Sequence, residues 1–176
     1  MKLNIANILT FLRIILIIPF VAFFLNDTFL IALIIFIVAS LTDALDGYIA
    51  RKFNMVTNLG KFLDPLADKI LVISALICFV ALSWIPAWTV VVIVAREFIV
   101  SGFRLAVVSK DNTAVIAADI WGKIKTAFTM LAIVWILIGA LQPGENINDI
   151  LMYICAALTV FSGVTMIWKN RKLFTQ

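Results

Sequence analysis

A chain of 176 residues that is 64% hydrophobic, with a mean hydropathy of +1.15, is far more apolar than a soluble domain, which sits nearer half. It holds enough apolar sequence for several spans of about 20 residues each, and what remains is too short for a separate soluble domain. The formal charge of +4 reads as topology and lipid-headgroup affinity, not nucleic-acid binding, because no basic array with interleaved aromatics occurs; with no His, zinc-protease and Ser-His-Asp chemistries are excluded in their usual forms.

In chain order, the pattern predicts an all-α membrane protein with six transmembrane helices forming a single domain over residues 1–176. The first helix runs from Ile8 to Leu25, retained and not cleaved, with Pro19 bending it and Arg13 about two turns inside. Arg13 either snorkels to the headgroups or contacts a phosphate, and Asn7 and Thr10 lie near the same end. The second helix spans Phe29 to Ala50, and Arg51 to Leu63 reads as a connection. The third begins at about Asp64, where Asp followed by Pro65 matches an N-cap with Pro at the first helical position, and ends near Leu82. Trp84 and Trp88 flank the next turn as interfacial anchors, and the fourth helix continues to about Val108. The fifth runs from Gly122 to about Leu141 and the sixth from Asp149 to Trp168. Cys78 and Cys155 both lie in apolar runs and read as packing residues.

The loops set an orientation. The turns at 26–28, 83–88 and 142–149 contain no Lys or Arg. Lys2, Arg51, Lys52, Lys61, Lys110, Lys123, Lys125, Lys169, Arg171 and Lys172 all fall at the other ends of the helices. By the positive-inside rule both termini are cytoplasmic, in keeping with an even number of spans.

The most informative stretch joins the second and third helices. Asp43, Asp46, Gly47 and Ala50 follow i, i+3, i+4, i+7 and share one helical face, while Asp64 and Asp68 share a face of the next helix. Four of the ten acidic residues therefore crowd one short window beside apolar sequence, where an ionisable group is costly and marks function. An all-carboxylate set without His or Cys suits hard divalent ions, Mg²⁺ or Mn²⁺. Two such ions can clamp a pyrophosphate for in-line displacement. Side chains as small as those of Gly47 and Ala50 let a bulky ligand approach the backbone, and the guanidinium of Arg51 suits a phosphate. The competing reading, helix caps beside a solvated loop, accounts for Asp64 but not for Asp43 and Asp46.

The pattern D-x2-D-G-x2-A-R-x8-G-x3-D-x3-D, from Asp43 to Asp68, resembles position for position the signature of the CDP-alcohol phosphotransferases, integral membrane enzymes of phospholipid synthesis. The opening Asn4 to Arg13, the stretch Arg96-Glu-Phe-Ile-Val-Ser-Gly-Phe-Arg104 and Gly122 to Thr126 are similar to the phosphatidylglycerophosphate synthases within that family, although Ala6 stands where many relatives have Pro before the second Asn. The resemblance covers essentially the whole chain. It implies transfer of a phosphatidyl group from CDP-diacylglycerol to sn-glycerol 3-phosphate, with release of CMP, at a site facing the cytoplasm in the bacterial cytoplasmic membrane. It further implies two metal ions on Asp43, Asp46, Asp64 and Asp68, with Asp68 also the base, and a CDP-diacylglycerol site of Asn7, Thr10, Gly47, Ala50, Arg51 and Gly60. A homodimer is expected on resemblance alone.

A second set of charges suits the acceptor. Arg96 and Arg104 are eight residues apart and can share one side of the fourth helix, and Lys123 and Lys125 stand at the start of the fifth. Together they can form a basic pocket for a phosphorylated polyol such as glycerol 3-phosphate. The alternative pairs Arg96 or Arg104 with Glu97 and leaves the lysines to headgroup phosphates. Two other functions stay open at this point: a cardiolipin synthase of the same type, which would need a second acyl groove, and a divalent-cation transporter, which would be expected to carry paired broken helices in related halves.

Overall fold

The computed structural model describes the backbone of residues 5–52, 58–110, 120–141 and 147–170, and side chains at 8–42, 63, 66–103, 120–141 and 147–170. The described residues are all-α, in six helices: α1 Ile5–Leu25, α2 Phe29–Lys52, α3 Asn58–Ala81, α4 Ala87–Lys110, α5 Ile120–Gly139 and α6 Asn148–Asn170. Among them α1, α5 and α6 are long and apolar enough to cross a membrane. In α2 the sequence from Phe29 carries no charge up to Asp43, where the acidic motif starts. The charges of α3 and α4 likewise interrupt otherwise apolar helices.

The chain divides into two compact units, residues 1–82 with 133–145, and residues 83–132 with 146–176. In the first unit α1 packs along both α2 and α3, and α2 also touches α3. The turn between α1 and α2 is tight for a definable reason. Asp27 takes the left-handed conformation at φ 57°. Thr28 N–H then reaches the Phe23 carbonyl at 3.0 Å, and Asp27 N–H reaches that of Phe24 at 3.1 Å, which together satisfy the end of α1 as a Schellman motif does.

Ring contacts fix the helix directions in this unit. Phe24 lies 5.4 Å from Phe29 and Phe20 lies 5.9 Å from Phe36, so α2 runs antiparallel to α1. Phe24 also lies 5.6 Å from Phe79, near the last turn of α3, so α3 runs parallel to α1. Pro19 sits inside α1 without ending it.

Two sequence expectations change here. The third helix begins at Asn58, so Asp64 and Pro65 are interior to it and not its cap and first residue. The segment between α2 and α3 therefore shrinks from 51–63 to 53–57, and Arg51, Gly60 and Lys61 are helical. In the second unit α4 packs on α6, with Val90, Ile93 and Val100 buried on α4 and Met152, Cys155, Ala156 and Met166 on α6.

Candidate active site

In the first unit the interior changes character along its length. The buried stripe of α1 is Phe24, Phe20, Ile17, Arg13 and Thr10. It therefore passes from aromatic to polar toward the N-terminus. The stripe of α2, with Ala32, Phe36 and Ala39 buried, continues by helical register to positions 43, 46, 47 and 50. That of α3, with Phe79, Ala75 and Leu71 buried, continues to positions 68, 64 and 60. Because α1 and α3 run parallel and α2 antiparallel, all three stripes turn polar at the same end of the unit. The phenylalanines fill the other end.

Heights along the bundle follow from the rise of about 1.5 Å per residue. Arg13 precedes Phe24 by eleven positions, and Asp68 precedes Phe79 by the same number. The rings of Phe24 and Phe79 are in contact, so Arg13 and Asp68 stand at one level. Arg13 is fully buried, which sets aside snorkelling to the lipid surface, and Thr10, one turn earlier, is fully buried as well. Asp68 is partly buried beside buried Ala67.

The side chains of Asn7, Asp43, Asp46, Gly47, Ala50, Arg51, Gly60, Asp64 and Arg104 lie outside the described residues. Among the described side chains no group of three His, Cys, Asp or Glu residues gathers, and three of the four expected metal ligands are outside that set. The donor chemistry fits hard divalent ions. Four carboxylate-bearing positions fall on the polar continuations of two neighbouring helices that share α1 as a partner, with no nitrogen or sulfur donor among them.

The second unit contains a cationic cluster. Arg96 Nη1 donates to Glu97 Oε1 at 3.0 Å, and Lys125 Nζ donates to the same oxygen. Arg96 Nη2 donates to Ser162 Oγ at 2.9 Å, and the Ser162 hydroxyl donates in turn to the Thr159 carbonyl at 3.0 Å. The side chains of Arg96, Glu97 and Lys125 retain only 14%, 15% and 6% of their exposure. The stem of Arg96 crosses Gly163, where a Cβ would stand 3.1 Å from Cγ. Gly163 thus supplies the space through which Arg96 reaches Ser162.

Of the four expected acceptor contacts, the structure brings Arg96 and Lys125 together on one carboxylate. Lys123 is exposed on another part of α5, because residues two apart on a helix do not face the same way. The alternative pairing of Arg96 with Glu97 is present, and it includes Lys125. Ser162 and Gly163 were not expected from sequence. Their only signal is a pair of small residues within the apolar run of α6.

Residues 3–161 match the family described as CDP-alcohol phosphatidyltransferase. The chain belongs to this family. The match spans both units, and it agrees with the motif from Asp43 to Asp68. Several similar proteins share a name. The CDP-diacylglycerol–glycerol-3-phosphate 3-phosphatidyltransferase of Bacillus subtilis (strain 168) is 47% identical over 78% of this chain and 72% of its own length. That of Haemophilus influenzae is 41% identical over 92% of this chain and 90% of its own. That of Rickettsia felis is 34% identical over 97% of each.

Proposed function

We propose that this protein is a CDP-diacylglycerol–glycerol-3-phosphate 3-phosphatidyltransferase. It transfers the phosphatidyl group of CDP-diacylglycerol to sn-glycerol 3-phosphate and releases phosphatidylglycerophosphate and CMP. The observation that carries this reading is the shared name of relatives aligned over nine-tenths or more of both chains. The acidic motif within the matched family region supports it.

The residues divide the work. Asp43, Asp46, Asp64 and Asp68 would hold two divalent ions, Mg²⁺ or Mn²⁺, which when bound neutralise the pyrophosphate and the departing CMP. Asn7, Thr10, Gly47, Ala50, Arg51 and Gly60 form the CDP-diacylglycerol site, and buried Arg13 adds a guanidinium at the level of Asp68. Asp68 accepts the proton of the free primary hydroxyl of glycerol 3-phosphate. That oxygen bonds to the β-phosphorus as the β-phosphorus–oxygen bond to the α-phosphate breaks, and the electron pair leaves with CMP. Arg96 and Lys125, joined by Arg104 and Lys123, hold the acceptor's phosphate.

The protein forms one membrane domain of six spans with both termini and the active site on the cytoplasmic side of the bacterial cytoplasmic membrane, and it works as a homodimer. The distribution of Lys and Arg supports the orientation. The test of activity is incorporation of labelled glycerol 3-phosphate into lipid by membranes carrying the protein. The product is expected to be phosphatidylglycerophosphate and to depend on added CDP-diacylglycerol. Labelled lipid of any other identity, or none, would count against the reading.

A further inference from the structure

Glu97 is the shared anchor of two cations from different helices. One carboxylate oxygen accepts from Arg96 Nη1, on the residue beside it in α4, and from Lys125 Nζ on α5. Consecutive residues on a helix diverge by about 100°, so Arg96 meets its neighbour only by folding its long side chain back. The Ser162 hydroxyl at 2.9 Å fixes the far edge of the guanidinium, and Gly163 leaves space for the stem. The result is a guanidinium tied from two sides and an ammonium tied to the same point. These long side chains are ordered before any ligand arrives, so binding need not supply that order.

The charge count points to what this order serves. Arg96 and Lys125 carry two positive charges against the one negative charge of Glu97, all three largely buried. By accepting from both donors, the Glu97 Oε1 oxygen keeps the two cations adjacent, and the trio retains a positive excess that an incoming phosphate dianion would meet.

We infer that Glu97 is a positioning residue for the phosphorylated acceptor: it holds Arg96 and Lys125 as one preassembled cationic fork for a phosphate monoester. This rests on the reading of Arg96 and Lys125 as acceptor contacts.

The test is steady-state kinetics of the purified protein, with glycerol 3-phosphate and CDP-diacylglycerol varied in turn. Glu97→Ala raises the KM for glycerol 3-phosphate by about tenfold or more, the scale of a lost charged hydrogen bond, and leaves the KM for CDP-diacylglycerol within about twofold. Glu97→Gln keeps an oxygen able to accept both donors and raises the acceptor KM by only about threefold. If Glu97→Ala is not recovered folded, Glu97→Asp makes the comparison, since it keeps the charge but draws the oxygen back by one methylene; its acceptor KM rises by about tenfold. Parallel rises in both KM values, a Gln variant as impaired as the Ala or Asp variant, or unchanged acceptor KM in all of them would overturn the inference. Lys125→Met separates this from the underlying reading. If it leaves the acceptor KM unchanged, the acceptor assignment itself fails. If it raises that KM while the Glu97 variants do not, only the role of Glu97 fails.

Discussion

Gly163→Ala tests whether the path of Arg96 across α6 matters to function. A Cβ at Gly163 would lie 3.1 Å from Arg96 Cγ, 3.5 Å from Nε and 3.9 Å from Cδ. Carbon atoms settle at about 3.5–4.0 Å, so the stem must retreat by about 0.4 Å or more. Arg96 cannot simply swing away, because Nη1 is held by Glu97 and Nη2 by Ser162, the residue next to the added methyl. Overpacking of this kind costs about 1–3 kcal/mol, against a gain of up to about 1 kcal/mol from replacing a helical Gly by Ala. The net expectation is a loss of about 0–2 kcal/mol of stability. A guanidinium displaced from its two partners should also raise the glycerol 3-phosphate KM by about three- to tenfold, with CDP-diacylglycerol affinity retained. Gly139→Ala is the control, since a Cβ there meets nothing within 4 Å. The assay pairs thermal unfolding in detergent with kinetics for each substrate. If Gly163→Ala behaves like Gly139→Ala in both, the Arg96 path is not a functional constraint.

Three further outcomes are expected. Asp68→Asn abolishes CMP release while equilibrium binding still detects CDP-diacylglycerol and metal; loss of nucleotide binding would make Asp68 chiefly a ligand and not the base. Phe24→Ala removes a fully buried ring that contacts Phe20, Phe29 and Phe79, and lowers stability by about 3–5 kcal/mol, read as a fall in unfolding temperature; a change within error would show that this aromatic end does not hold the first unit together. Asn26→Cys, in the exposed turn after α1, reacts with a membrane-impermeant maleimide on intact spheroplasts, whereas Lys169→Cys reacts only after the membrane is opened. Cys78 and Cys155 are 4% and 0% exposed and give little background. The reverse labelling pattern would invert the proposed topology.

What the sequence made legible was local. Apolar runs located the six helices because a helix of about 20 apolar residues is the simplest way to satisfy a backbone out of water. The motif spacing puts Asp43, Asp46, Gly47 and Ala50 on one face of helical α2 and Asp64 and Asp68 on one face of α3, whereas the buried face of α1, with Thr10, Arg13, Ile17, Phe20 and Phe24, emerges only in the structure. The start of α3 was misread for a physical reason. Asp64-Pro65 has the chemistry of a helix start, yet the helix extends from Asn58 through it. A proline removes one backbone donor, which helices among apolar partners tolerate when their neighbours compensate. The Glu97 anchor was visible only as a pairing option. Its contacts join residues 28 and 66 positions apart, and no local periodicity reports that Lys125 and Ser162 converge on the same pair of neighbours in α4.

CMP release by the purified protein from CDP-diacylglycerol reads the proposed reaction itself. It should be run with Mg²⁺ or Mn²⁺ against glycerol 3-phosphate, phosphatidylglycerol, serine and inositol phosphate, with Asp68→Asn as the blank. Metal-dependent CMP release is expected with glycerol 3-phosphate alone, lost on chelation and restored by either ion. Release with phosphatidylglycerol instead would make the protein a cardiolipin synthase of the same family. Folded, metal-loaded protein that turns over none of the acceptors would contradict the assignment.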